Sequence, residues 1–198
     1  MDEERLKRQF AFSREIDKEK NISRMTYISD GTRRENDAEH AWHAALMTVL
    51  LAEYSNEPID VLRTVTMLLL HDLVEIDAGD AFAYDPEAQA AQHEKEIRAA
   101  ERIYGLLPED QRAYFRGLWE EFEAGTTPEA RFARVMDNLQ PLMLNDMQHG
   151  RLWREQGVAL RQVLERNRRT PDGSAALWDY ARRTLIQPNV EAGNIKDE

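Results

Sequence analysis

Val65-Thr66-Met67-Leu68-Leu69-Leu70 runs directly into His71-Asp72, and that junction decides how the chain is read. A helical segment apolar on every face is a buried one. An imidazole and a carboxylate at its end are costly to bury unless each is paired, protonated or bound to a metal. Neighbouring helical residues point about 100° apart, yet they converge on one ion where the backbone relaxes at a helix end. Glu75 follows His71 by one turn on the same face. The alternative is an ordinary helix C-terminus, where the dipole favours histidine and Asp72 is simply exposed.

Outward from this junction, helix signals dominate and strand signals are nearly absent. Asp37 reads as an N-cap for a helix over 37–54 that carries His40 and His43. Pro58 suits a first helical position, so the second helix is expected over Ile59 to Glu75, followed by a loop from Asp77 to Asp85. Asp85-Pro86-Glu87 opens a helix to about Tyr104, and Pro108 opens another through Phe122. Thr127-Pro128 pairs an N-cap with proline at N1 and starts a long helix toward His149. Trp153 to Arg168 is helical by pattern, and Ser174 caps a last helix expected to stop before Pro188. No repeat or long linker divides the chain. The expectation is one all-α domain of about seven or eight helices over residues 1–198, its core at 20–187 and its tail at 188–198 polar and loose.

Composition narrows the chemistry. The chain has 198 residues, 42% of them apolar, and no cysteine, so thiolate metal sites and a cysteine nucleophile are excluded. Any metal must be held by nitrogen and oxygen. Its apolar runs fall far short of the roughly 20 residues that span a bilayer, and the opening Met-Asp-Glu-Glu-Arg lacks the apolar core of a secretory signal. A cytoplasmic protein with no membrane partner is expected. The formal net charge of -11 argues against nucleic-acid polymers. It still permits a small anionic substrate where arginines or a metal overcome the field.

Further ligands must come from distant segments. His40 and His43 share a helix face, and spacing alone does not choose between them. Asp137 sits beside an inward stripe of Phe132, Val135, Met136 and Leu139, where it needs a partner: a metal, or else an N-cap role or a buried salt bridge to Arg134. Trp119, Phe122, Trp153 and Trp178 are assigned to the core or a subunit contact. Arg166, Arg168 and Arg169 read as a solvated helix end, His93 as exposed, and His149 as part of a helix C-cap.

The ordered words Arg-Glu-Asn-Asp-Ala-Glu-His, His-Asp-Leu-Val-Glu-Ile-Asp-Ala-Gly-Asp and Val-Met-Asp-Asn-Leu resemble the HD-domain metal phosphohydrolases, in particular their 5'-deoxynucleotidase branch. The similarity covers about residues 20–145. It implies that His40, His71, Asp72 and Asp137 bind one divalent metal, with His43 a neighbour. It also implies catalytic roles for Glu75 and Asp80, with Asp80 near the substrate, and phosphate contacts by Arg24, with Arg33 and Arg34 as alternatives. Tryptophan often follows that arginine in the family, whereas this chain reads Arg24-Met25-Thr26-Tyr27. Two imidazoles and two carboxylates suit Mn, Co, Fe, Ni or Zn better than Ca or Mg. The implied protein hydrolyses a (deoxy)nucleoside 5'-monophosphate to nucleoside and phosphate with water activated by the metal, and is a homodimer. Alternatives are an HD phosphohydrolase of a cyclic, diphosphate or modified nucleotide, and a catalytically silent nucleotide-binding module.

Overall fold

The computed structural model describes residues 2–82, 84 and 86–197, with the backbone alone for 86–91. Helix α1 spans Glu3–Glu15, α2 Asp37–Leu51, α3 Val61–Leu70 and the single turn α4 Glu75–Ala78. Helix α5 spans Pro86–Tyr104, α6 Glu109–Ala124 and α7 Pro128–Met147. The C-terminal part is built of shorter pieces: α8 Arg151–Gln156, α9 Leu160–Arg166, α10 Thr170–Gly173, α11 Ala175–Ala181 and α12 Gln187–Glu191. Helices α2, α3 and α7 pack on one another. Their fully buried Met67, Leu68, Phe132 and Met136 form the centre of the core.

Three local differences from the sequence-based expectation place the site. The N-cap of α2 is Asn36, not Asp37: its side chain accepts from the Glu39 amide, and Glu39 reaches back to the Asn36 amide in a capping box. Asp37 is thereby released into the first turn, where it is fully buried. Helix α3 is capped by Asp60 and ends at Leu70, short of the expected Glu75. From there the chain tightens, with Leu73 donating to Leu70 and Glu75 to Asp72. Shorter i→i+3 turns alter the angle between successive side chains, which brings His71 and Asp72 to one side. The turn α4 then ends on Gly79, whose φ of +77° suits glycine. The third difference is a short antiparallel pair, β1 Ser23–Tyr27 and β2 Arg34–Asn36, in a chain whose strand signals are nearly absent. The three residues of β2 are too few to display an alternating pattern, and β1 reads Ser-Arg-Met-Thr-Tyr without strict alternation.

Elsewhere Thr127 and Ser174 cap α7 and α11 as expected. The proposed cap Asp85 lies outside the described residues. The stretch Trp153 to Arg168 is not one helix, because Gly157 turns into the left-handed region at φ +61° and separates α8 from α9. Pro188 does not stop the C-terminal run. A π-helical segment over Arg182–Ile186 leads into α12, and Pro188 occupies its first turn, where no amide donor is needed. The tail is held as well: Ile195 is buried, Leu160 donates to Lys196, and Lys196 donates to Val158. Finally, α3 is not buried all round. Leu62 and Leu69 are exposed, as are Trp42, Leu46, Val49 and Leu50 of α2.

Candidate metal centre

Four elements converge beneath the strand pair. Helix α2 supplies His40, the turn after α3 supplies His71 and Asp72, α7 supplies Asp137, and β1 supplies Arg24. His40 Nε2 lies 3.1 Å from Asp137 Oδ1 and 3.9 Å from Asp72 Oδ2. His71 Nε2 lies 3.1 Å from Asp72 Oδ2 and 3.7 Å from Asp137 Oδ1. His40, His71 and Asp72 each offer an atom within 4.8 Å of the others.

The remaining ring nitrogens fix which way these donors present themselves. His71 Nδ1 donates to the Leu68 carbonyl at 2.7 Å. His40 Nδ1 donates to Gln140 Oε1 at 2.9 Å, and the Gln140 amide in turn donates to Glu35 at 2.6 Å and to His43 Nδ1 at 3.2 Å. A carbonyl oxygen only accepts, so each imidazole turns a basic Nε2 inward. His71 Nε2 is buried and makes no hydrogen bond. His40, His71 and Asp72 converge as a donor set that fits a divalent transition metal, and Asp137 Oδ1 stands beside both imidazoles.

The electrostatics follow from burial and from the charges packed together here. Burial pushes the His40 ring down, and the Arg24 charge adds to it. For His71 the same burial is outweighed by Asp72 and Asp137, which hold its pKa well above the ordinary value. Burial raises the Asp72 carboxyl, but the charges of His71 and Arg24 reverse this and hold it well below the usual range. The neighbouring carboxylates shift the other way. Burial, reinforced by Asp72 and Asp37, pushes Glu75 well up. Burial and Asp72 push Asp37 up to about 7, against the Arg24 charge and a hydrogen bond to Glu75. Asp80 is raised by burial, opposed by Arg24.

A cavity of about 260 Å³ opens on this centre, lined among others by Arg24, His71, Asp72, Glu75, Asp80 and Asp137. Arg24 is anchored through Nη1, which donates to Asp37 at 3.0 Å and Asp72 at 2.7 Å. Arg33 and Arg34 do not reach the cavity: Arg33 pairs with Glu39 at 2.6 Å, and Arg34 donates to the Met25 carbonyl while lying over the Tyr27 ring. Arg134 leaves Asp137 alone and donates instead to the Phe122 and Glu123 carbonyls. Phe122 is core, as expected, and its ring also packs 4.9 Å from that of His71. Pro141 lacks the amide that would close on the Asp137 carbonyl four residues earlier, which loosens α7 beside the site.

A family model described as HD domain matches residues 16–178. The chain belongs to the HD-domain family. Among solved structures, a predicted metal-dependent phosphohydrolase from Magnetospirillum magnetotacticum MS-1 is 47% identical and covers 98% of this HD-domain chain and 97% of its own, with a TM-score of 0.93. Human 5'-deoxynucleotidase HDDC2 is 30% identical over 148 residues, 71% of each chain. The Danio rerio protein of the same name is 30% identical over 109 residues, 55% of this chain and 53% of its own.

Sequence reading missed several participants in this HD-domain site. Gln140 follows Asp137 by three residues, a same-face spacing that pointed to it. Asp37 was mistaken for a cap. Arg166, assigned to a solvated helix end, instead turns into the cavity. His93 is exposed as expected, and its ring stands near the cavity-lining Glu96 and Glu123.

Proposed function

We propose that this protein is a metal-dependent 5'-nucleotidase that hydrolyses deoxynucleoside 5'-monophosphates to nucleoside and phosphate. The observation that carries the reading is the inward pair of basic Nε2 atoms, on His40 and His71, facing Asp72 and Asp137 at the floor of an arginine-bearing cavity. The human relative's name supplies the substrate class.

In this reading His40, His71, Asp72 and Asp137 hold one Mn, Co, Fe, Ni or Zn ion. Such a cation supplies Lewis acidity, lowering the pKa of water from 15.7 to roughly 7 and offsetting charge on the phosphoryl oxygens. Arg24, pinned by Asp37 and Asp72, turns its remaining donors to the phosphate. Glu75, hydrogen-bonded to Asp37, positions the attacking water. Asp80, whose carboxyl is shifted upward by burial, donates a proton to the leaving 5'-oxygen. Arg33 and Arg34 serve the strand pair and its capping box and take no phosphate.

No helix among the described residues is long and apolar enough to cross a membrane, and the proposed setting is cytoplasmic. Exposed Trp42, Leu46, Val49 and Leu50, which share one face of α2, support a homodimer, since clustered exposed apolar side chains mark interaction surfaces. A phosphate-release screen over deoxynucleoside and ribonucleoside monophosphates with Mn, Co and Mg tests the activity. Release from deoxynucleoside monophosphates is expected. Cleavage of diesters or triphosphates alone would overturn it.

A further inference from the structure

The cavity poses an electrostatic difficulty for any phosphate ester. Six carboxylates line it, namely Asp72, Glu75, Asp80, Glu96, Glu123 and Asp137. Its lining arginines are Arg24, Arg134 and Arg166. Arg134 is committed, with Nε and Nη2 donating to backbone carbonyls and its guanidinium over the Phe122 ring. Arg24 spends Nη1 on two carboxylates.

Arg166 is differently placed. It stands in the last turn of α9, where the helix dipole alone would favour an arginine facing solvent. Its side chain instead enters the cavity, and Nη2 comes 3.5 Å from Asp137 Oδ2, on the carboxylate edge turned away from the histidines. That distance is long for a charge-assisted bond, which closes to roughly 2.7–2.9 Å. No other hydrogen bond or ion pair engages its guanidinium among the described residues. About a third of the side chain stays exposed, at 36%, so its donors are accessible from the cavity mouth. An arginine fork with open donors, beside a metal-type donor set and within the field of Asp80, matches the non-bridging oxygens of a phosphate monoester dianion.

We propose that Arg166 is a second phosphate-binding residue, reaching the substrate from α9 as Arg24 does from β1. The assignment rests on the phosphohydrolase reading and adds a residue to it. A guanidinium that only oriented Asp137 would act on metal retention, whereas one that holds phosphate acts on substrate and product.

The test compares wild type, Arg166→Gln and Arg166→Lys, each loaded with Mn, by KM for a deoxynucleoside monophosphate, inhibition by inorganic phosphate, and Mn affinity from chelator competition. Arg166→Gln is expected to raise both KM and the phosphate inhibition constant about tenfold to a hundredfold, with Mn affinity within a few-fold of wild type. Arg166→Lys keeps the charge without the fork and is expected to fall between. If phosphate inhibition is unchanged in both variants, the assignment is wrong. It is equally wrong if phosphate and Mn binding weaken in parallel. Phosphate protection against thermal unfolding, lost in Arg166→Gln, reads the same contact without turnover. An inactive wild type that still binds phosphate through Arg166 would overturn the proposed activity and leave this assignment standing.

Discussion

Asp72 carries the densest set of obligations at the centre: it faces both imidazoles and accepts from Arg24. Asp72→Ala is expected to abolish both metal retention and turnover while leaving the far-ultraviolet circular dichroism unchanged. Gln140 acts one step further out. It is fully buried and holds the His40 Nδ1 proton while donating to Glu35 and His43. Removing such an outer partner costs about 10–100-fold in metal affinity, so Gln140→Leu should weaken Co binding by that factor in a chelator titration. An unchanged affinity would show that His40 is oriented by packing alone. Proton competition sets the pH dependence. Because Asp72 and Asp137 hold the His71 pKa above its ordinary value, a proton competes with a metal for the ring more strongly than at a free imidazole. Metal affinity is therefore expected to fall as pH drops below that raised value, with proton release on binding measurable by calorimetry in two buffers.

At the scale of elements, the site depends on where helices begin and end. Asn36→Ala removes the α2 cap, at a cost of about 1 kcal/mol, and loosens the turn that buries Asp37. Its melting temperature should fall by about 2–4 °C. The 3₁₀ segment Ile16–Asn21 places Glu19 under the same cluster, buried and with Oε1 unpartnered. Burial, aided by Asp72, raises its carboxyl from 4.5 to about 8. A pKa raised on folding means stability present in full below pH 4.5 and lost as pH rises through 8. Glu19→Gln should then melt higher than wild type at pH 9, with a smaller difference at pH 5. A difference independent of pH would refute the raised pKa. These elements also mark the limits of sequence reading. The helix over 37–51 and the break before Glu75 hinge on caps and turns of a few residues, where Asn36 and Asp37 are equally good caps by composition. His71-Asp72 was legible because a long apolar run makes any buried charge conspicuous. Arg166 was not, because the same residue at a helix end serves equally well as a solvated cation.

For the whole molecule, α2, α3 and α7 build one core whose ends deliver the site, and α2 leaves its outer face apolar. Trp42, Leu46 and Leu50 recur at helical spacing on that face and are 62%, 53% and 71% exposed. If a second copy covers them, Trp42→Glu with Leu46→Glu should shift the light-scattering mass from dimer to monomer. A wild-type monomer would leave the face without that partner. The fold class was legible from helix periodicity, whereas the short strand pair and the anchoring of the C-terminal tail through Ile195 and Lys196 were not, the latter because it is held by Val158 and Leu160, distant in sequence. On the proposed function, these elements meet to hold a metal that works on a phosphate monoester. The most direct test of that function is phosphate release from a deoxynucleoside monophosphate by protein stripped with chelator and then reloaded. Release should vanish on stripping and return with Mn or Co; full activity in the stripped protein, or none after reloading, would contradict the account.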